Sequence, residues 1–168
     1  MQHLMILRHA KAVTWYPGID DFPRALSDVG TDHAQRLAAW MCDNLDPPDH
    51  ILCSPSQRTR ETLAPLLCLK PELESVTHFI PQIYGSSKRT LIALLDFAFA
   101  EADRVLIVGH NPAFEMLAFD VIAKSEYEKI NRLPTGTLVV VDFESGWENA
   151  AGKGILSHKV RGKKLSID

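Results

Sequence analysis

The sequence predicts an α/β fold: a three-layer α/β/α sandwich with a mostly parallel central sheet. Three observations carry this expectation. Short apolar runs recur along the chain, at residues 3–7, 50–53 and 104–108. Between them lie longer stretches whose apolar residues repeat at helical spacing. The run VLIV at 105–108 is apolar at every position, as in a strand buried on both faces. Strands alternating with helices in this way make βαβ units, with helices covering the sheet on both sides.

Taken in order, the first strand is His3 to Leu7, and it ends abruptly in Arg8-His9. Residues 14–26 are rich in Pro, Gly and Asp and read as a loop. A helix is expected from Ser27, whose hydroxyl can cap it, with Asp28 at the positive end of its dipole. Ala34, Leu37, Ala38, Met41, Cys42 and Leu45 form its apolar face, and Asp46-Pro47-Pro48 stops it. His50 to Cys53 is the second strand, and Ser54-Pro55-Ser56 resembles the start of the next helix, with Leu63, Leu66 and Leu67 on its inner side. Val76 to Ile80 fits a third strand. Ser86 or Ser87 can cap a further helix carrying Leu91, Leu94, Leu95 and Ala98. After Arg104 to Val108, a helix is expected over Pro112 to Ala123, with Pro in the first turn, where no N–H is required. Thr137 to Phe143 and Ile155 to Val160 are two late strands that can pair antiparallel at an edge. The tail KVRGKKLSID is basic and is expected to be a solvated end.

At 168 residues the chain suits one domain, residues 1–168. A net charge of −3 leaves no basic excess for general nucleic-acid affinity. The longest apolar runs fall far short of the ~18 residues that suggest a membrane span, and no signal peptide is evident. A cytoplasmic protein is the expectation. Cys42, Cys53 and Cys68 are odd in number and form no CxxC pair, so neither a disulfide framework nor a zinc site is suggested.

In parallel sheets ligands bind beyond the carboxyl ends of the strands. Three such ends here carry chemistry: Arg8-His9 after the first strand, Ser54-Pro55-Ser56-Gln57-Arg58 after the second, and Gly109-His110-Asn111-Pro112 after VLIV. Two arginines and two histidines would gather on one sheet edge, with no matching carboxylates at those ends. An anion is expected to complete them. Phosphate suits best, because guanidinium forks match its oxygens in pairs and helix N-termini after Pro55 and Pro112 would add positive dipole ends. Salt links from acidic neighbours filling the space would contradict the expectation.

These motifs carry a resemblance. L-R-H-A at 7–10 resembles the RHG-type signature of the histidine phosphatase superfamily, with Ala10 in the glycine place. S-P-S-Q-R-T-R-E-T at 54–62 is similar to the segment around that family's second arginine, and G-H-N-P at 109–112 resembles its second histidine motif. The short length and D-F-P-R-A-L-S-D-V-G at 21–30 resemble the small SixA-like branch, which includes phosphohistidine phosphatases. The resemblance implies the histidine phosphatase (phosphoglycerate mutase-like) fold. It implies a phosphatase acting on a phosphorylated protein or a small phosphorylated metabolite, without metal or other cofactor. It also implies that His9 accepts the phosphoryl group covalently and that Arg8, Arg58 and His110 hold its oxygens. Arg24 matches the arginine of the branch's R-P-L-T segment, with Ala25 in place of Pro. Nearby Arg8, Arg58 and Arg24 would keep the His9 imidazole neutral, as a nucleophile requires.

The general acid is the gap. Asn111 stands where the acid-phosphatase branch has Asp. The stretch I-P-Q-I-Y-G-S-S, where the mutase branch has Glu, offers Gln82 and Tyr84 but no carboxylate. Asp20 and Asp21 lie on the loop after the first motif, and solvated loop acids are the preferred reading of both. A missing acid favours leaving groups that depart easily, phosphohistidine among them, and it disfavours a mutase. Ser54 and Thr59 read as helix caps rather than phosphate ligands. Trp15 and Tyr16 either wall the pocket or anchor their loop. Two rival readings remain. A non-catalytic phosphate- or phosphoprotein-binding module of the same fold would not need a nucleophilic His9. A cysteine-nucleophile phosphatase needs five residues between thiolate and Arg, whereas four separate Cys53 from Arg58.

Overall fold

A computed structural model describes residues 1–166. Six strands form one sheet in the order β3-β2-β4-β1-β5-β6. They are β1 (Gln2–Arg8), β2 (His50–Cys53), β3 (Thr77–Phe79), β4 (Arg104–Gly109), β5 (Thr137–Phe143) and β6 (Ile155–Arg161). The four strands β3, β2, β4 and β1 run parallel, while β5 joins β1 and β6 joins β5 antiparallel. The closing pair therefore sits at an edge, as its sequence suggested.

The alternation of side chains along each strand builds two cores. Met5 and Leu7 of β1, with Leu106 and Val108 of β4, face α1 (Asp28–Asn44) and α2 (Gln57–Leu69) through Leu37, Met41, Leu63 and Leu66. Leu4, Ile6, Val105 and Ile107 face the other way, onto α3 (Lys88–Phe99) and α4 (Ala113–Val121) through Leu91, Leu95, Phe114 and Leu117. That is the three-layer sandwich. The side chains of β4 from Val105 to Val108 are fully buried, which explains a run with no polar alternation.

Helix starts follow the capping residues. The Ser27 hydroxyl accepts from the Gly30 amide and the Ser87 hydroxyl from the Thr90 amide. Gly30 has a second role. A Cβ there would lie 1.9 Å from the Lys11 carbonyl oxygen, so only glycine lets α1 begin against the segment that leaves β1. Ser56 precedes α2 in extended conformation without a side-chain cap bond.

One element lies outside the sequence reading, and one expectation changes. Between α4 and β5 the chain makes a 3-10 turn at Lys124–Glu126 and a short helix α5 (Tyr127–Ile130), seated by the buried Ile130 and Leu133. One turn of helix is too short to show a period. The basic tail is a solvated end only in part: Lys159, Lys163, Lys164 and Ser166 are exposed, but its backbone is not free. Lys159 to Arg161 belong to β6, Gly162 is buried, and Arg36 Nη1 donates to the Leu165 carbonyl at 2.6 Å. Val160 and Leu165 pack on the α1 side of the sheet, and that apolar pair overrides the charges around it. Ile167 and Asp168 of that tail lie outside the described residues. No helix among the described residues is long and apolar enough to cross a membrane.

Candidate active site

Strand register brings the three motifs together. Arg8 pairs with Gly109 across β1 and β4, and Cys53 pairs with Val108 across β2 and β4. The next residues, His9, Ser54 and His110, therefore leave three adjacent strands at one end of the sheet. The His9 amide donates to the Gly109 carbonyl at 3.0 Å and the Ser54 amide to the Val108 carbonyl at 3.0 Å, which extends the pairing by one residue on each side.

His9 is 7 % exposed. Its Nδ1 lies 2.7 Å from the Ala10 carbonyl oxygen. A carbonyl only accepts, so Nδ1 carries the proton and Nε2 holds the lone pair. The Gly136 amide donates to the His9 carbonyl at 2.8 Å and the Ala10 amide donates to Thr62 Oγ1 at 2.9 Å, so the nucleophile's backbone is fixed from both sides. Burial depresses the His9 pKa most. The Ala10 bond acts the other way, the charges of Arg58, Arg8 and Arg24 add to the depression, and the result is about 4. The ring is neutral at pH 7, as expected from its guanidinium neighbours, although burial outweighs them.

His110 stacks obliquely beside it, with ring centroids 5.2 Å apart. Its Nε2 lies 2.8 Å from Ser54 Oγ, and its Nδ1 lies 3.3 Å from Arg58 Nη2. Arg58 can only donate, so Nδ1 accepts and Nε2–H points to Ser54. Burial, then Arg58 and His9, lower the His110 pKa to about 3. Both nitrogens are thus engaged within the protein. Donating Nδ1–H to a phosphoryl oxygen requires a second ring proton, which a nearby dianion favours.

The arginines surround this pair. Arg58 is 5 % exposed. Its Nη1 donates to the Asp21 carbonyl and its Nη2 to Asp21 Oδ2, each at 2.9 Å. Arg24 donates through Nη2 to Asp21 Oδ1 at 3.0 Å and through Nη1 to the Val13 carbonyl at 3.1 Å. Arg8 donates through Nη1 to the Leu133 carbonyl at 2.9 Å. The Nε–H groups of Arg8, Arg24 and Arg58 are all buried without a partner among the described residues. Three guanidinium charges acting on one imidazole suit an oxyanion.

Asp21 corrects the expectation that no carboxylate meets these cations. It is not a solvated loop acid: it bridges Arg58 and Arg24 and accepts from the Tyr84 hydroxyl at 2.7 Å. The loop folds Asp21 onto α2 because Arg58, buried there, needs an acceptor. Burial alone would raise the Asp21 carboxyl pKa. Hydrogen bonds from Tyr84 and Arg58, with the charges of Arg58 and Arg24, outweigh it and hold the group below the usual carboxylate range. The phosphate expectation survives, since Arg8, Arg24, Arg58 and Asp21 together still carry two positive charges. Tyr84 also lies edge-on to His110, with centroids 5.5 Å apart. The D-x-x-R spacing of residues 21–24 was the available signal for Asp21.

The remaining residues fall into place around this group. Ser54 is fully buried; its Oγ accepts from the Ser56 amide at 3.5 Å at the turn into α2 and also lies 2.8 Å from His110 Nε2, a contact beyond the capping role. Thr59 Oγ1 donates to the carbonyls of Ser54 and Ser56, which shapes the turn below His110. Asn111 donates to the Leu133 carbonyl at 2.9 Å, so it braces a loop. Asp20 is exposed, and so are Trp15 and Tyr16; Trp15 anchors its loop through the Ile19 carbonyl. Burial pushes the Cys53 thiol up to about 12, which denies it the thiolate a nucleophile needs. Cys42, Cys53 and Cys68 are all free thiols. Among the described residues no group of three or more His, Cys, Asp or Glu could hold a metal ion.

The site is thus a neutral buried histidine whose Nε2 has no partner among the described residues, ringed by guanidiniums at strand ends. A family model for the histidine phosphatase superfamily (branch 1) matches residues 4–80, so that part of the chain is similar to that superfamily. The chain superposes on a protein of Agrobacterium tumefaciens provisionally designated phosphohistidine phosphatase SixA, with a TM-score of 0.82 and 27% identity over 95% of this chain and 97% of that one. The protein histidine phosphatase SixA solved with tungstate shares the fold, at a TM-score of 0.78 and 21% identity over 96% of this chain and 97% of that one. An uncharacterized protein of Mycobacterium tuberculosis is 29% identical over 148 residues, 84% of this chain and 89% of its own length.

Proposed function

We propose that the chain is a phosphatase that hydrolyses a phosphomonoester or a phosphoramidate, protein phosphohistidine among them, through a covalent phosphoryl intermediate on His9. Residues 1–168 act as one domain in this reading. The observation that carries it is the state of His9. Its Nδ1–H is spent on the Ala10 carbonyl, its ring is neutral, and its Nε2 lone pair meets no hydrogen-bond partner among the described residues. A module that only binds phosphate has no use for that arrangement.

Nε2 attacks phosphorus as the bond from phosphorus to the leaving group breaks, and the electron pair departs with that group. Water then attacks the phosphohistidine, the N–P bond breaks, and its pair returns to Nε2 as the water proton passes to solvent. Arg8, Arg24, Arg58 and His110 hold the non-bridging oxygens through both steps. One well-placed donor of this kind supplies roughly 3–4 kcal/mol. Guanidiniums provide the neutralisation that a metal would otherwise give, so turnover is expected in the presence of a chelator. Asp21 is ionised and already engaged, which leaves no protonated carboxyl at the site for an alkoxide. This favours a P–N bond, whose imidazole leaving group takes its proton from water.

The test offers phosphohistidine peptides, phosphoserine peptides and sugar phosphates in parallel, with chelator present and early quenching. An acid-labile phosphoryl group on His9, fastest turnover of phosphohistidine and loss of turnover in His9→Ala are expected. Oxyanion binding without any turnover would overturn the reading in favour of a binding module.

A further inference from the structure

Asp21 takes no part in that scheme, yet three side chains of the site converge on it. Oδ1 accepts from Arg24 Nη2, Oδ2 accepts from Arg58 Nη2 and the Tyr84 hydroxyl, and the backbone carbonyl accepts from Arg58 Nη1. One residue of the loop between β1 and α1 therefore takes both terminal nitrogens of a guanidinium buried in α2. A guanidinium is planar, with five N–H groups in a fixed fork. Fixing two of its nitrogens fixes the direction of the third. In Arg58 and Arg24 that third group, Nε–H, is buried and without a partner among the described residues. Tyr84 in turn holds the carboxylate. It lies in the stretch where a carboxylate was sought from sequence, and it delivers one from another part of the chain.

Charge gives a second reason for the carboxylate. Arg8, Arg24 and Arg58 alone sum to three positive charges; Asp21 sets one negative charge against the Arg24–Arg58 pair, while Glu115 acts on Arg8. Without the Asp21 charge the site would hold the product phosphate more tightly and release it more slowly.

We infer that Asp21 is a positioning residue of the phosphate site: it aligns the Arg58 and Arg24 guanidiniums, with Tyr84 steadying it, and limits how tightly a phosphoryl dianion is held. The inference rests on the phosphatase reading above. Asp21 is not the proton donor of the reaction, because the guanidiniums and the phenol that grip it keep it ionised.

Asp21→Asn keeps the size and one acceptor oxygen but removes the charge. The test measures tungstate and phosphate affinity by calorimetry, kcat and KM on aryl phosphates of graded leaving-group pKa, and the melting temperature. Oxyanions are expected to bind about tenfold more tightly, since a like charge beside the dianion is gone. The kcat is expected to fall about tenfold to a hundredfold, by the same factor across the series, as alignment is lost. Tyr84→Phe, which leaves the charge in place, is expected to lower kcat about threefold without tightening oxyanions. Weaker oxyanion binding with a lower melting temperature would overturn the inference and reduce Asp21 to a loop anchor. A kcat loss that grows steeply with leaving-group pKa would overturn it in favour of a proton donor. If the unaltered protein neither binds tungstate nor turns over any aryl phosphate, the phosphatase reading fails instead.

Discussion

Replacing His9 with Asn should make the protein less sensitive to mild acid. Burial and the surrounding guanidiniums lower the His9 pKa from 6.5 to about 4. The unfolded chain therefore takes up a proton at this position that the folded chain refuses. A depressed folded pKa means the stabilising contribution is fully present above pH 6.5 and is lost as the pH falls toward 4. At 1.36 kcal/mol per unit, the full contribution is about 3 kcal/mol, and about 2 kcal/mol of it goes between pH 7 and pH 5. Asn cannot titrate, and its amide keeps a donor near the Ala10 carbonyl. Its stability should fall less over that interval by about the same 2 kcal/mol. Urea unfolding at pH 7, 6 and 5 measures both proteins, and groups common to them cancel in the difference. His110, depressed to about 3, titrates in both. Parallel curves for the two proteins, differing by less than about 0.5 kcal/mol in slope over the interval, would refute the account of His9 as a buried neutral ring.

Four further substitutions probe the frame around the nucleophile. In Gly109→Ala the new Cβ would meet Phe114 Cζ at 2.5 Å and Ile83 Cγ2 at 2.9 Å. Overpacking of about 1–3 kcal/mol is expected by urea unfolding, with a larger loss in kcat because the Gly109 carbonyl anchors the His9 amide. Cys53→Ser should leave turnover within about twofold of the parent, since a thiol at about 12 is not a nucleophile; abolished turnover with an intact fold would revive the cysteine mechanism. Arg58→Lys keeps the charge but loses the fork that meets Asp21 and His110, and kcat/KM should drop about a hundredfold or more in steady-state assays. Ser54→Ala removes the acceptor for His110 Nε2–H. Long-range nitrogen NMR should show the proton shifting toward Nδ1, and an unchanged tautomer would mean that Arg58 alone sets it.

The sequence announced the sheet and the principal helices because both rest on periodic burial. Met5 and Leu7 against Leu4 and Ile6 mark two faces, and Leu37 and Met41 mark a helix on one of them. It announced Arg8, His9, Arg58 and His110 because strand ends in a parallel sheet converge, so motif order translates into proximity. What it hid has no period and no fixed place in the chain. Asp21 reaches Arg58 across 37 residues, from a loop whose course depends on a tertiary contact. Ser54 reads as a helix cap from the sequence, and its contact with His110 shows only when the strands are laid side by side. The α5 turn and the docking of Leu165 each depend on a single patch of core, which leaves no pattern to count.

The Leu133 carbonyl receives Arg8 and Asn111 together, while its amide donates to Glu115 Oε2 at 2.7 Å. The stretch between α4 and β5 thereby sets the aim of a guanidinium of the site. Lengthening or trimming the connection from α4 to β5 upstream of that point should lower stability, through the buried Ile130, and also show in the kinetics. Homologous chains that differ freely in the residues around α5 would be expected to keep the number of residues between Leu133 and the start of β5 constant.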